Sequence, residues 1–221
     1  MMRLNALSRT GWMGLRASVL AVAALSGVAT GKAGEPVSSA TDVKVLDLAL
    51  VDQQGLARKL GVEVIGDRIA VVNFIYTSCK TSCPLASAVF GQVQERLGDR
   101  LGRDVVLVSL SIDPVTDRPA RLRAAAEQFH AKPGWSWLTG DKATVDRVLR
   151  GFGIYSSNIV DHPTMVMIGD GKTGEWVRLL GFLGPDDIMA HLERVQLARQ
   201  NISGPMARPS GKANGLQQGV D

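Results

Sequence analysis

The sequence predicts a layered α/β domain, and three observations support this prediction. Short apolar runs of strand length alternate with segments of helical periodicity, which is typical of βα units. The 221 residues, of which 45% are hydrophobic, suffice for one core with terminal extensions rather than for two compact domains. No repeat of fixed period occurs, which argues against a solenoid. We therefore expect a single sheet covered by helices.

The first βαβ unit is predicted between residues 69 and 112. Ile69 to Tyr76 is a near-continuous run of β-branched and aromatic residues, as expected for a strand that is covered on both faces. Asp104 to Ile112 is a second such run, and a helical stretch from Leu85 to Leu101 separates the two. The first run is the best candidate for the central strand.

Two helices are predicted in the next part of the chain. Pro119 lies in the first turn of a helix that ends near His130, because the missing N–H of proline costs little there. Asp141 is the expected N-cap of the following helix. The apolar face of that helix consists of Val145, Val148, Leu149 and Phe152.

The remaining part of the domain predicts a hairpin and a final helix. Apolar runs at 164–169 and 176–183 flank the turn-rich segment 170–174, a pattern typical of a β-hairpin. Gly184 and Pro185 then begin a helix that we expect to end near Arg199. Together with the first unit, these elements complete a sheet with helices on it.

Both ends of the chain are predicted to extend beyond the domain. Residues 1–33 have a basic start, an apolar run from Ala17 to Ala29 and no acidic residue, which is typical of a secretory signal. That run is shorter than the roughly 20 residues of a membrane span. Cleavage is therefore expected, with an uncleaved N-terminal anchor as the alternative. Residues 34–41 are predicted to be a linker and residues 201–221 a disordered tail.

The net charge of +4 does not indicate a nucleic-acid partner. Four basic residues lie in the signal segment, and without it 21 basic and 21 acidic residues remain. A formally neutral domain offers no excess of charge for nucleic acid or anionic lipid. We therefore expect a periplasmic protein that contacts the membrane surface only if its signal is retained.

The candidate functional residues follow the predicted central strand. Cys79 and Cys83 are the two cysteines of the chain, and in a helix their spacing separates the Cα atoms by roughly 6 Å on one face. This arrangement allows two thiolates to bind one metal ion, a redox-active dithiol, or a structural disulfide. Two cysteines are too few for a disulfide framework. The spacing alone leaves all three alternatives open.

The available donors favour copper if the site binds a metal. Copper and zinc are the chief soft metals outside the cytoplasm, and thiolates are soft ligands. Structural zinc normally has four protein ligands, which two cysteines and three histidines in the whole chain can hardly supply. Cu(I) accepts two or three soft ligands.

His162 is the histidine best placed to join the cysteines. It lies at the entry to a predicted strand, and the carboxylate of Asp161 beside it could fix the imidazole tautomer. A loop histidine without a role is the alternative. His130 is expected at a helix end, where a cation is favoured, and His191 is expected to be a solvated residue of the last helix.

Three segments of the sequence resemble the Sco/SenC copper proteins, which are thioredoxin-fold assembly factors for copper-containing oxidases. These segments are Val72 to Cys79 with Cys83 and Pro84, Ser109 to Pro114 with Asp117, and Val160 to His162. A Cys-x-x-x-Cys motif alone is a weak signal, but the three segments in register are specific. The similarity covers residues 42–198.

The resemblance implies a thioredoxin-like fold over residues 42–200, with a central mixed sheet flanked by helices and an N-terminal β extension. It also implies that Cys79, Cys83 and His162 bind one copper ion, as Cu(I) or Cu(II). The copper would pass to a respiratory enzyme such as cytochrome c oxidase subunit II. An upstream copper donor or a thiol reductant is a further expected partner. A carrier of this kind is not an enzyme.

The same resemblance leaves a second function open. Family members usually have Pro-Asp after the first cysteine, where this chain has Lys80 and Thr81, and Ser after the histidine, where it has Pro163. Proline before a strand is similar to the cis-proline loop of thioredoxins, which faces the redox cysteines. The alternative is therefore a periplasmic thiol-disulfide oxidoreductase that uses Cys79 and Cys83 as its redox pair. Thioredoxins, however, use Cys-x-x-Cys and do not need His162.

Overall fold

A computed structural model describes residues 37–159 and 162–203. The predicted signal segment, the first part of the predicted linker, Asp161 and residues 204–221 of the predicted tail lie outside the described residues. None of the helices within the described ranges combines the length and the apolar content that crossing a membrane requires.

Eight strands of the described chain form one mixed sheet. They are β1 (Val37–Ala40), β2 (Ala49–Asp52), β3 (Ala57–Lys59), β4 (Ile69–Ile75), β5 (Val105–Ser111), β6 (Trp135–Thr139), β7 (Met165–Asp170) and β8 (Trp176–Leu180). Their spatial order is β1-β8-β7-β4-β5-β6-β2-β3. The trio β4, β5 and β6 is parallel, and antiparallel pairings flank it on both sides. The two strands predicted first, β4 and β5, are buried along their whole length at the centre.

The N-terminal strands extend the sheet at both edges. β1 pairs with β8 at one edge, and the hairpin of β2 and β3 pairs with β6 at the other. The predicted N-terminal β extension is therefore confirmed. A π-helical segment, Leu60–Ile65, follows the hairpin and leads into β4.

Four α-helices cover the sheet in the described part of the chain. They are α1 (Ser82–Leu97), α2 (Pro119–Gln128), α3 (Lys142–Gly151) and α4 (Pro185–Ser203). Pro119 occupies the start of α2 as predicted. The Asp141 carboxylate accepts the N–H of Thr144 at 2.9 Å, which confirms it as the N-cap of α3.

Two hydrophobic clusters lie on opposite faces of the sheet. One, which we call the α3-side cluster, contains Phe74, Val145, Leu149 and Phe152 among others. The other, the α1-side cluster, contains Ile75, Phe90, Leu122 and Ile188 among others, from β4, α1, α2 and α4. Because successive strand residues point to opposite faces, the last two residues of β4 contribute to different clusters.

Several boundaries differ from the sequence prediction. β1 lies within the segment predicted as a linker, and α1 ends at Leu97 rather than at Leu101. α1 begins at Ser82 and not at Leu85, because Pro84 needs no hydrogen-bond partner in the first helical turn. This places Cys83 inside the helix. α4 continues to Ser203, three residues into the segment predicted as a tail.

Two further features were not predictable from the local pattern. β6, which was not predicted from the sequence, has only five residues, and four of them are buried. The expectation that His191 is solvated is wrong: the residue is 8% exposed, and its Nδ1 lies 2.9 Å from the carbonyl oxygen of Asp187. α4 packs against the α1-side cluster, and this packing buries His191.

Candidate functional site

The candidate site lies where β4 ends and α1 begins. Cys79 is in the connecting loop, and Cys83 is in the first turn of α1. β4 is parallel to β5, and functional groups in open α/β sheets gather at the carboxyl ends of such strands. The structure therefore holds both cysteines at the position that the sequence predicts.

Both cysteines are free thiols, and a hydrogen bond links them. The backbone N–H of Cys83 donates to Sγ of Cys79 at 3.4 Å. The hydroxyl oxygens of Thr81 and Ser82 each lie 3.8 Å from the same sulfur. The first turn of α1 thus surrounds the sulfur of Cys79 with hydrogen-bonding groups, and a helix N-terminus favours negative charge.

The two thiols differ strongly in acidity. Burial acts to raise the pKa of Cys79, but the hydrogen bonds from Cys83 and Thr81 outweigh it and lower the pKa to about 6. Burial raises the pKa of Cys83 to about 12. The hydrogen bond between Tyr76 and Cys79 also raises the pKa of the tyrosine. Cys79 is therefore a thiolate near neutral pH, the form that binds metals and attacks disulfides.

A cavity of about 240 Å³ lies against the cysteine pair. Its lining includes both cysteines, Lys80, Gln128 and Trp137. Lys80 is exposed at its rim, so the charge nearest the pair in sequence is positive. The cavity gives a small ligand, or a side chain of another protein, a place beside the two sulfur atoms.

His162 lies in the loop before β7 and contacts the α3-side cluster. Its ring packs against Phe74 of the α3-side cluster, with 5.8 Å between the ring centroids. Burial lowers the pKa of His162, so its imidazole is neutral near neutral pH. Its Nε2 is buried and has no hydrogen-bond partner among the described residues. A neutral imidazole with a free nitrogen is the form that binds a metal.

The described residues do not bring the three predicted ligands together. His162 lines a cavity of about 230 Å³ with Asp113 and Tyr155, whereas the cysteines line the separate cavity described above. Within residues 37–159 and 162–203, no group of three His, Cys, Asp or Glu side chains is close enough to hold a metal. The two cysteines contact each other, and His162 lines a different cavity.

The other two histidines lie away from the cysteines. His130 is exposed just beyond the end of α2, and His191 is buried on α4. Asp117 is a residue whose importance the sequence interpretation missed. It belongs to one of the matching segments but looks like an ordinary residue before a helix, and yet its side chain is fully buried behind the cysteine loop.

Comparison with solved structures gives the fold. The chain superposes on a SCO1/SenC family lipoprotein of Bacillus anthracis with a TM-score of 0.60, at 21% identity, over 72% of this chain and 98% of that one. It also superposes on Bradyrhizobium japonicum ScoI with copper bound, with a TM-score of 0.54 at 24% identity, over 66% and 95% of the chains. It superposes on yeast Sco1 with copper bound with a TM-score of 0.57 at 20% identity, over 76% of this chain and 98% of that one. The predicted thioredoxin-like α/β fold is confirmed.

Comparison of sequences gives the family. A SCO1 protein homolog of Bacillus subtilis is 27% identical over 108 residues, which are 48% of this chain and 54% of that protein. A SCO2-like protein of Rickettsia conorii is 26% identical over 113 residues, or 51% and 53%. The chain therefore spans about half the length of the curated relatives it matches. Because the SCO1/SenC family model matches residues 39–196, most of its length, the chain belongs to the SCO1/SenC family.

Proposed function

We propose that this chain is a periplasmic copper carrier. In this proposal Cys79, Cys83 and His162 bind one copper ion, which the protein delivers to a copper site of a respiratory oxidase such as cytochrome c oxidase subunit II. The observation that carries the proposal is the cysteine pair at the start of α1, with Cys79 already ionised near neutral pH. The related structures described with copper bound support the choice of metal.

The chemistry of the donors fits copper as the cargo. Two sulfur atoms, one in the loop before α1 and one in its first turn, provide the soft ligands that Cu(I) prefers. The lowered pKa of Cys79 means that metal binding displaces a proton from only one of the two thiols, Cys83. The unpartnered Nε2 of His162 supplies a harder third donor, and Asp161 would hold its tautomer.

Three-ligand binding requires Nε2 of His162 to reach the same ion as the two sulfur atoms. The ring contact with Phe74 involves no hydrogen bond at Nε2, so a metal–nitrogen bond would replace no existing polar interaction of that atom.

The location and the recipient belong to the same proposal. The basic and apolar pattern of residues 1–33 supports export, and a related structure is described as that of a lipoprotein. Another related structure is described as a member of a family of cytochrome c oxidase assembly proteins, which supports an oxidase as the recipient.

Copper stoichiometry tests the proposal. The reduced full chain should retain one Cu(I) per molecule in competition with a chromophoric Cu(I) chelator. Oxidation to the Cys79–Cys83 disulfide should release the ion, because it removes both thiolates. Copper retained with equal affinity by the oxidised protein would show that other groups bind it.

Replacement of His162 separates the roles of the donors. We expect His162→Ala to lower the affinity for Cu(II) by about 100-fold and that for Cu(I) by less than about 10-fold, because imidazole suits Cu(II) and two thiolates suffice for Cu(I). Competition titrations with each ion measure both values. His130→Asn removes an imidazole elsewhere and should change neither affinity. Equal losses for the two ions would contradict this division of roles.

The acidity of the cysteines favours a second candidate function, that of a thiol-disulfide oxidoreductase. The thiolate of Cys79 would attack a disulfide of the partner, and Cys83 would then displace the partner's second sulfur as a free thiol. Two electrons pass to the partner in this exchange; Cys83 supplies one of the two protons, and the partner's other sulfur takes its proton from solvent. A reduced protein that retains no copper but reduces a disulfide of the oxidase subunit would favour this candidate.

A further inference from the structure

Asp117 is a buried carboxylate directly behind the cysteine loop. It is 0% exposed. Its Oδ1 and Oδ2 accept the backbone N–H of Thr77 at 3.1 and 3.2 Å, and Oδ1 accepts the hydroxyl of Thr77 at 2.5 Å. Oδ2 also accepts the hydroxyl of Ser111, the last residue of β5, at 2.6 Å. We call Asp117, Thr77 and Ser111 the carboxylate clamp.

The partners of the clamp are all neutral donors. Within the described ranges, no lysine, arginine or histidine forms an ion pair with Asp117. An ionised carboxylate is an acceptor only, so it satisfies one N–H and two O–H donors at once. Asp117 lies two residues before α2, where the helix N-terminus favours negative charge. An amide in its place would turn an N–H₂ group toward at least one of these donors.

The clamp acts on the loop that contains Cys79. Thr77 lies two residues before Cys79, and the N–H of Cys79 donates to the carbonyl oxygen of Tyr76 at 3.1 Å. On the other side, the sulfur of Cys79 accepts a hydrogen bond from the backbone N–H of Cys83. The loop is thus fixed to β5 on one side and to α1 on the other. Without the clamp, Cys79 would keep its hydrogen bonds with Tyr76 and Cys83, but the loop would lose its attachment to β5.

We propose that Asp117 is a positioning residue that sets the separation of the two sulfur atoms and so determines how readily the dithiol closes. Cys79 and Cys83 need a short, fixed separation to form one bond, and ordering the loop in advance lowers the entropy cost of that bond. The proposal uses the cysteine pair assigned above but not its copper. Its failure and a failure of copper binding are therefore distinguishable.

The test is a metal-free redox equilibrium of the full chain. Protein dithiol and the cyclic disulfide of dithiothreitol exchange to give protein disulfide and the reduced dithiol, with two electrons and two protons transferred. Thr77→Val removes the hydroxyl of the clamp, Thr77→Ser retains it, and Asp117→Asn changes the acceptor. Asp52→Asn is the matched control. Asp52 is also a buried carboxylate, with 5% of the residue exposed, and it accepts hydrogen bonds from two backbone N–H groups and from Arg58. It lies on β2, away from the cysteines.

We expect Thr77→Val and Asp117→Asn to lower the equilibrium constant for disulfide formation by about tenfold, the effect of one hydrogen bond to a charged group. Thr77→Ser and Asp52→Asn should stay within about twofold of the unmodified protein. Because the constant compares two folded states, a loss of stability alone does not change it. If Asp117→Asn does not fold, the comparison of Thr77→Val with Thr77→Ser tests the proposal on its own. A Thr77→Val constant equal to that of Thr77→Ser would overturn the proposal.

Discussion

Replacing either Cys79 or Cys83 by alanine should abolish tight Cu(I) binding. With one thiolate removed, the ion would keep only one of its two sulfur ligands at the start of α1. We expect the affinity to fall by more than about 100-fold, beyond the loss that follows removal of a supporting residue. Competition with a Cu(I) chelator, on reduced full-length protein, measures it.

Ser78→Ala is the matched control for the cysteine variants. Ser78 is exposed and adjacent to Cys79, so loss of its hydroxyl tests the loop without removing a donor. Its affinity should equal that of the unmodified chain. If both alanine variants retained copper as tightly as Ser78→Ala does, the cysteine pair would not be the copper site.

Asp170→Asn should produce the largest loss of stability among single polar substitutions that we consider. Asp170 ends β7 and is 1% exposed. Its carboxylate accepts hydrogen bonds from Nε of Arg199 on α4 at 2.7 Å and from Nη2 of the same residue. It also accepts a hydrogen bond from the backbone N–H of Lys172 at 2.8 Å. The amide would leave the guanidinium without its counter-charge. We expect the free energy of unfolding to fall by about 3 kcal/mol, as for other broken buried pairs.

Asp146→Asn is the control for this experiment. It breaks an ion pair with Lys142 one helical turn away, whose side chain is 62% exposed. Exposed pairs of this kind contribute about 0.5 kcal/mol or less. Urea unfolding of both variants gives the comparison. Equal losses would show that the pair between Asp170 and Arg199 adds nothing beyond an exposed one.

The pH dependence gives a second check on the same pair. Burial acts to raise the pKa of Asp170, but the hydrogen bonds from Arg199 and from the N–H of Lys172 outweigh it and hold the pKa below its ordinary value. The stabilisation is therefore present above the unfolded pKa of about 3.9 and is lost as the pH falls through the folded pKa. The stability deficit of Asp170→Asn should shrink over that acidic range.

The central sheet was predictable because its strands are buried on both faces. The apolar runs that become β4 and β5 have no polar interruption long enough to suggest another element. β6 gave no such signal, because a five-residue strand with a polar Ser136 gains its burial from β5 and β2. Tertiary contacts, which a local pattern does not contain, decide elements of this length.

The contact between the two cysteines was predictable, whereas its local geometry was not. The spacing of Cys79 and Cys83 indicates a helix containing both, but α1 begins at Ser82 and Cys79 lies in the loop before it, where its sulfur accepts the N–H of Cys83. His162 contacts Phe74 of the α3-side cluster, which the motif does not show. The role of Asp117 depends on three donors that lie 6 and 40 residues away in sequence.

The end of β4 supports both parts of the candidate site. The ring of Phe74 contacts His162 and Phe152, and Phe152 contacts Trp176. One residue further along β4, Ile75 belongs to the cluster that supports the cysteines. Substitutions in the aromatic chain should therefore change the packing around the imidazole of His162. Tyr76 extends their reach to the thiols, because it packs against the α3-side cluster and forms a hydrogen bond with Cys79.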